Sequence, residues 1–178
     1  MDFIKKILNP ASIPFYKKQG NVRYAELIKF TELPKCEKFI TKRIIQEIRQ
    51  NDKIVVSALD CDLNYIFIDK YGRINEFIIS ENRFTKSTKL LFDRCNKSLS
   101  QIIELEAAEK EFLSTNGIRL TFLTDKGNFS LSGDLDDMAK RKITGQVIAH
   151  LSNLTYLHNP KKYDRLMKRE FEKIKNSR

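Results

Sequence analysis

The sequence predicts an α+β domain: a five-stranded antiparallel sheet, made of three strands, a long helix and two strands, covered by N- and C-terminal helices. Three observations carry this. The hydrophobic period turns strand-like at Ile54 and helical again near Thr85. Two turns, Asp69-Lys70-Tyr71-Gly72 and Asp125-Lys126-Gly127, each separate runs of β-branched and aromatic residues, as hairpins do. Finally, 178 residues suffice for one substantial core but divide poorly into two.

The elements follow in order. Asp2 to Leu8 forms a short amphipathic helix with Phe3, Ile4, Ile7 and Leu8 apolar, stopped by Asn9-Pro10. Gly20-Asn21 turns the chain into a weak helix over Val22 to Phe30. Pro34 suits a first helical position, and Cys36, Ile40, Ile44 and Ile48, with Phe39 and Ile45 beside them, recur at helical spacing. A helix is expected there. Strands are expected over Ile54 to Leu59, Leu63 to Asp69 and Ile74 to Ile79. A long helix from about Thr85 to Thr115 aligns Leu91, Cys95, Leu99, Ile102, Leu105 and Phe112 and ends at Asn116-Gly117. Ile118 to Thr124 and Asn128 to Ser132 form the second hairpin. Asp134 caps a helix reaching about Tyr156, and Asn159-Pro160 opens a last one carrying Tyr163, Leu166, Met167, Phe171 and Ile174. The expected organisation is one domain over 1–178, with basic helical extensions at 1–33 and 159–178 packed on it.

That element order resembles, at the level of topology, the small chaperones that hold bacterial secretion effectors. The resemblance rests on element order, carries no motif, and implies a scaffold more than an activity. Those chaperones are typically acidic, whereas this chain has a net charge of +10.

The charge is segregated. Residues 1–50 carry +6 and residues 138–178 carry +8, while residues 51–137 carry −4. No apolar run reaches the length of a membrane span, and the N-terminus lacks the long apolar stretch of a secretory signal, so a cytoplasmic location is expected. Cys36, Cys61 and Cys95, odd in number and widely spaced, read as reduced thiols, and no Cys-x-x-Cys supports structural zinc.

Candidate chemistry is sparse. Asp60 and Asp62, two apart on an extended segment, share a face and are the pair for a divalent metal, with Asp69, Asp134, Asp136 and Asp137 as supplements. The favoured reading is instead that Asp60-Cys61-Asp62 is the polar turn between the first two strands and that Asp134 to Asp137 place favourable charge at a helix start. His150 and His158 lie eight apart rather than the four usual for ligands on one helix. There is no Gly-x-Ser-x-Gly elbow and no phosphate-cradling glycine loop, so no catalytic residue, metal site or cofactor is assigned and an enzyme is not favoured.

The leading expectation is a non-enzymatic interaction module that binds another protein through an apolar sheet face or through Phe3, Ile4, Ile7 and Leu8. The alternative is sequence-independent binding of DNA or RNA through the basic ends. Lys161, Lys162, Arg165, Lys168, Arg169 and Lys173 would then act with Arg141, and Tyr65 and Phe67 are the sheet aromatics available for stacking. A metal-dependent enzyme built on Asp60 and Asp62 is the third reading, and a homo-oligomer is compatible with all three.

Overall fold

The segment expected to be helical around Cys36 to Ile48 is a turn up to Ile40 and, from Thr41, an inner strand of the sheet. In the computed structural model the described residues are 23, 26, 27, 33, 34, 36–50, 53–108 and 116–157, with the backbone alone described at 50 and 104–108. Strand β1 spans Thr41–Gln50. The expectation failed for a simple reason. Ile40, Ile44 and Ile48 recur every four residues, and four is both close to one helical turn and a multiple of the strand period of two. Isoleucine at 40, 44, 45 and 48 tips the balance, because β-branched side chains pack well on a pleated surface.

The other elements are β2 (Lys53–Asp60), β3 (Asn64–Ile68), β4 (Ile74–Ile78), α1 (Asn82–Lys97), α2 (Leu99–Ala108), β5 (Gly117–Thr124), β6 (Gly127–Asp134), α3 (Leu135–Lys140) and α4 (Lys142–Leu157). The described residues therefore form an α+β fold with six strands in the order β4-β3-β2-β1-β5-β6, all antiparallel, in place of the five expected. β1 joins the two expected groups: Ile45 lies opposite Ala58 of β2 on one side and Thr121 of β5 on the other. The expected helix-then-three-strands order behind the likeness to secretion chaperones is replaced by four consecutive strands. The terminal helices expected at 2–8 and 160–174 lie outside the described residues, and the helical Arg23, Glu26 and Leu27 fall within the weak helix expected over 22–30.

Strand alternation gives the sheet two buried faces. On the helix face, Ile44, Leu59, Tyr65, Leu120, Phe122 and Leu131 pack under Phe92 and Cys95 of α1, Ile102 of α2 and Val147, Leu151 and Leu154 of α4. On the second face, Ile45, Ile54, Val56, Ala58, Ile66, Ile68 and Leu123 form a separate apolar cluster with Leu27, and Leu33 packs against it.

Both long helices of the expectation are broken. Ser98, at φ −106° and ψ 12°, separates α1 from α2, and extended Arg141, at φ −74° and ψ 141°, separates α3 from α4. Asp134 caps α3 as expected, accepting the amide of Asp136 at 2.9 Å. At Gly145 of α4 a Cβ would lie 2.2 Å from the carbonyl oxygen of Ala139, so only glycine permits this close approach of α3.

The reading of three reduced thiols is corrected: Cys36 and Cys61 form a disulfide with their Cα atoms 6.3 Å apart. Wide spacing in sequence carried no information about pairing, because the β1–β2 hairpin brings the two ends together. Lys42 fastens the same corner, donating to the carbonyls of Cys36 (2.6 Å) and Phe39 (2.5 Å) and pairing with Asp125 at 3.0 Å. Cys95 is free and buried, and burial pushes its thiol up to about 12.

Candidate interaction surface

The register that buries Ile66 and Ile68 also decides what β4 displays. Ile74, Glu76 and Ile78 lie opposite Ile68, Ile66 and Asn64, so all three share the second face. β4 is the last strand of the sheet and has one strand neighbour among the described residues. Ile78 is 72 % exposed and Ile74 is 38 % exposed. Two isoleucines on an outermost strand continue the buried cluster outward to solvent.

Glu76, between them, is engaged. Arg23 donates to both its carboxylate oxygens at 2.9 and 3.0 Å, and the Asn64 amide donates to it at 2.9 Å. An inward-pointing charge in mid-strand discourages indiscriminate pairing of an edge. Further across the same face, Arg43 grips both oxygens of Asp60 at 2.5 and 2.8 Å and donates to the Leu27 carbonyl at 3.0 Å. Arg23 thus engages β4 and the Leu27 carbonyl engages β1. Beyond lies a polar half: Arg119 holds Glu47 through two bonds of 2.5 and 2.7 Å, and Thr121 meets Ser130 at 2.9 Å. The second face is therefore apolar along β2 and β3 and charged or hydroxylated toward β5 and β6.

A different arrangement stands at the β3–β4 turn. Asp69 accepts the amides of Tyr71 (2.9 Å) and Arg73 (3.0 Å) and the Arg73 guanidinium (2.6 Å), while Gly72 adopts φ +73°. Burial works against the Asp69 charge, but the Arg73 and Tyr71 amides and the guanidinium together hold its carboxyl below the usual range. The turn presents Tyr71, 42 % exposed, and Lys53, Lys70 and Arg73 stand 4.8, 5.3 and 5.4 Å from its ring centre. The β2–β3 register places Val56 opposite Ile68, and continuing it brings Lys53 level with Tyr71.

Phe3, Ile4, Ile7 and Leu8 lie outside the described residues, as do Lys161, Lys162, Arg165, Lys168, Arg169, Lys173 and His158. Arg141 is half-buried at the α3–α4 break, its carbonyl accepting the Gly145 amide at 2.8 Å. Asp60 spends both oxygens on Arg43, and burial pushes its carboxyl above the ordinary value with Arg43 opposing; Asp62 accepts the Asn64 amide at 3.2 Å, as a turn residue does. A metal at this pair would have to displace Arg43. Among the described residues no group of three or more His, Cys, Asp or Glu is placed to hold a metal.

Tyr65 does not stand on an open sheet. Its hydroxyl lies under α4, donating to the Leu151 carbonyl at 3.0 Å and lying 2.5 Å from the Thr155 hydroxyl, and burial raises it to about 12. His150 sits 2.9 Å from the Thr88 hydroxyl, and burial lowers its pKa.

Sequence reasoning missed the β4 surface and the Tyr71 cluster. One signal for the first was present: a glutamate at mid-strand, flanked at i ± 2 by isoleucines, marks an edge. The second needed the strand register. Among the described residues no helix is long and apolar enough to cross a membrane. Compared with known protein families and with curated proteins, the chain matches none.

Proposed function

We propose that this chain is a non-enzymatic interaction module that binds another protein, with the outermost strand β4 as the contact surface. The observation that carries this is the exposure of Ile78 and Ile74 on one face of the outermost strand. An extended segment of a partner laid along β4 would add a strand through main-chain hydrogen bonds, with apolar side chains at alternate positions meeting Ile74 and Ile78. Glu76, already held by Arg23 and Asn64, supplies selectivity, because a partner must present hydrogen-bond donors or a cation opposite it. Fully burying an isoleucine is worth about 1.5–3 kcal/mol, so Ile78 alone accounts for roughly a tenfold or greater change in affinity.

The test is site-specific photocrosslinking in the cells of origin. A benzophenone side chain is placed at position 78, with exposed position 128 on the opposite sheet edge as control. One partner crosslinked at 78 and not at 128, whose purified form binds the Ile78→Lys variant at least tenfold more weakly, is the expected result. Equal crosslinking at both positions, or affinity indifferent to Ile78→Lys, contradicts the proposal.

A further inference from the structure

We propose that the β3–β4 turn is a binding site for single-stranded nucleic acid, in which a base stacks on Tyr71 and the neighbouring phosphates are held by Lys53, Lys70 and Arg73. The three cations come from two separate parts of the chain, the start of β2 and the turn itself, and all lie within 5.4 Å of one exposed ring. Among the described residues Asp69 is the carboxylate bonded to the turn; its side chain is 15 % exposed and is consumed by the turn amides and Arg73, while Lys70 and Arg73 stand exposed. The turn is pre-organised by the Asp69 bonds and by the Gly72 amide, which donates to the Asp69 carbonyl at 2.8 Å. Tyr71 therefore loses little freedom on stacking.

The chemistry selects among anionic ligands. Any base offers a π face for stacking, worth a large and sequence-tolerant share of affinity for single strands, while cations track the backbone. Duplex DNA keeps its bases stacked internally and leaves Tyr71 without a partner. A membrane surface would need apolar residues to insert beside the tyrosine; Lys70, Gly72 and Arg73 flank it within the turn, and the exposed Ile74 follows on β4, so anionic vesicles are a separate arm of the test. The flexible ammonium groups now near the ring stand a short swing from the phosphates that flank a stacked base, so the cation–π contacts of the free protein give way to charge-assisted ones.

The experiment titrates the full-length protein with a fluorescein-labelled twelve-residue oligothymidylate, followed by anisotropy over a salt series. Tyr71→Ala should weaken binding roughly 5- to 150-fold, the range of one stacked base, while Tyr71→Phe stays within about threefold of the parent. Lys70→Ala should make the dependence of log K on log salt shallower by about 0.7, one phosphate contact on a single strand. Tyr71 is exposed, so all three variants should keep the parental melting temperature. Binding that is undetectable at 50 mM salt, binding unchanged by Tyr71→Ala, or stronger binding to the matching duplex or to anionic vesicles would each overturn the assignment.

Discussion

Breaking the Cys36–Cys61 disulfide should cost this fold a calculable amount of stability. The bond closes a loop across a sequence separation of 25 residues, from the segment before β1 to the end of the β1–β2 hairpin. Loop-closure entropy for that length gives about 3.5 kcal/mol at 25 °C, held in the unfolded state. For a chain of this size that corresponds to a fall in melting temperature of roughly 7–14 °C. The assay is thermal unfolding by circular dichroism with and without a phosphine reductant, paired with thiol titration in denaturant. One thiol, Cys95, should titrate before reduction and three after. A Cys36→Ala/Cys61→Ala variant should melt near the reduced parent and ignore the reductant. Three thiols in the unreduced, unfolded protein, or a melting temperature unmoved by reduction, would refute the reasoning.

Other perturbations probe separate parts of the structure. Asp60→Asn leaves the Arg43 guanidinium buried and uncompensated, an expected loss of about 3–5 kcal/mol by urea denaturation, whereas Arg43→Met/Asp60→Leu should recover most of it; equal losses would contradict the pairing. Gly145→Ala drives a methyl into the Ala139 carbonyl and should cost at least about 1–3 kcal/mol, and a neutral effect would mean that α3 and α4 do not approach so closely. His150 has a depressed pKa, so the unfolded chain takes up its proton first. Its contribution to stability is present above pH 6.5 and is lost as pH falls from there toward the lower folded value. His150→Gln should therefore flatten the pH dependence of the urea midpoint between pH 7.5 and 5.5, and an unchanged slope would assign that dependence elsewhere.

The two hairpins were legible because their turns and alternations lie within a dozen residues of one another. Gly72 and Gly127 take positive φ, and Asp134 caps where its position before Leu135 requires. β1 was not legible, since a period of four satisfies helix and strand alike and what distinguishes them is the neighbour on each side: β2, adjacent in sequence, and β5, about seventy residues away. Strand register, unreadable from local pattern, also hid the disulfide across the β1–β2 hairpin and the meeting of Lys53 with Tyr71 across β2 and β3. In β3, Ile66 and Ile68 alternate with Tyr65 and Phe67, so one pair must face each side of the sheet. The pair that faces the helices is Tyr65 and Phe67, with the Tyr65 hydroxyl bonded to the Leu151 carbonyl and beside the Thr155 hydroxyl of α4. The metal reading of Asp60 failed to anticipate Arg43, its cross-strand partner in the β1–β2 register.

The claim that matters most is that β4 receives a strand from another protein. Amide hydrogen exchange of the purified complex, read at residues 74–78 against the free protein, tests it directly. Strand addition predicts that the β4 amides pointing away from β3 become strongly protected in the complex, while β6 amides keep their free-state rates. Unchanged exchange at 74–78 in a fully formed complex would contradict the account and move the contact surface elsewhere.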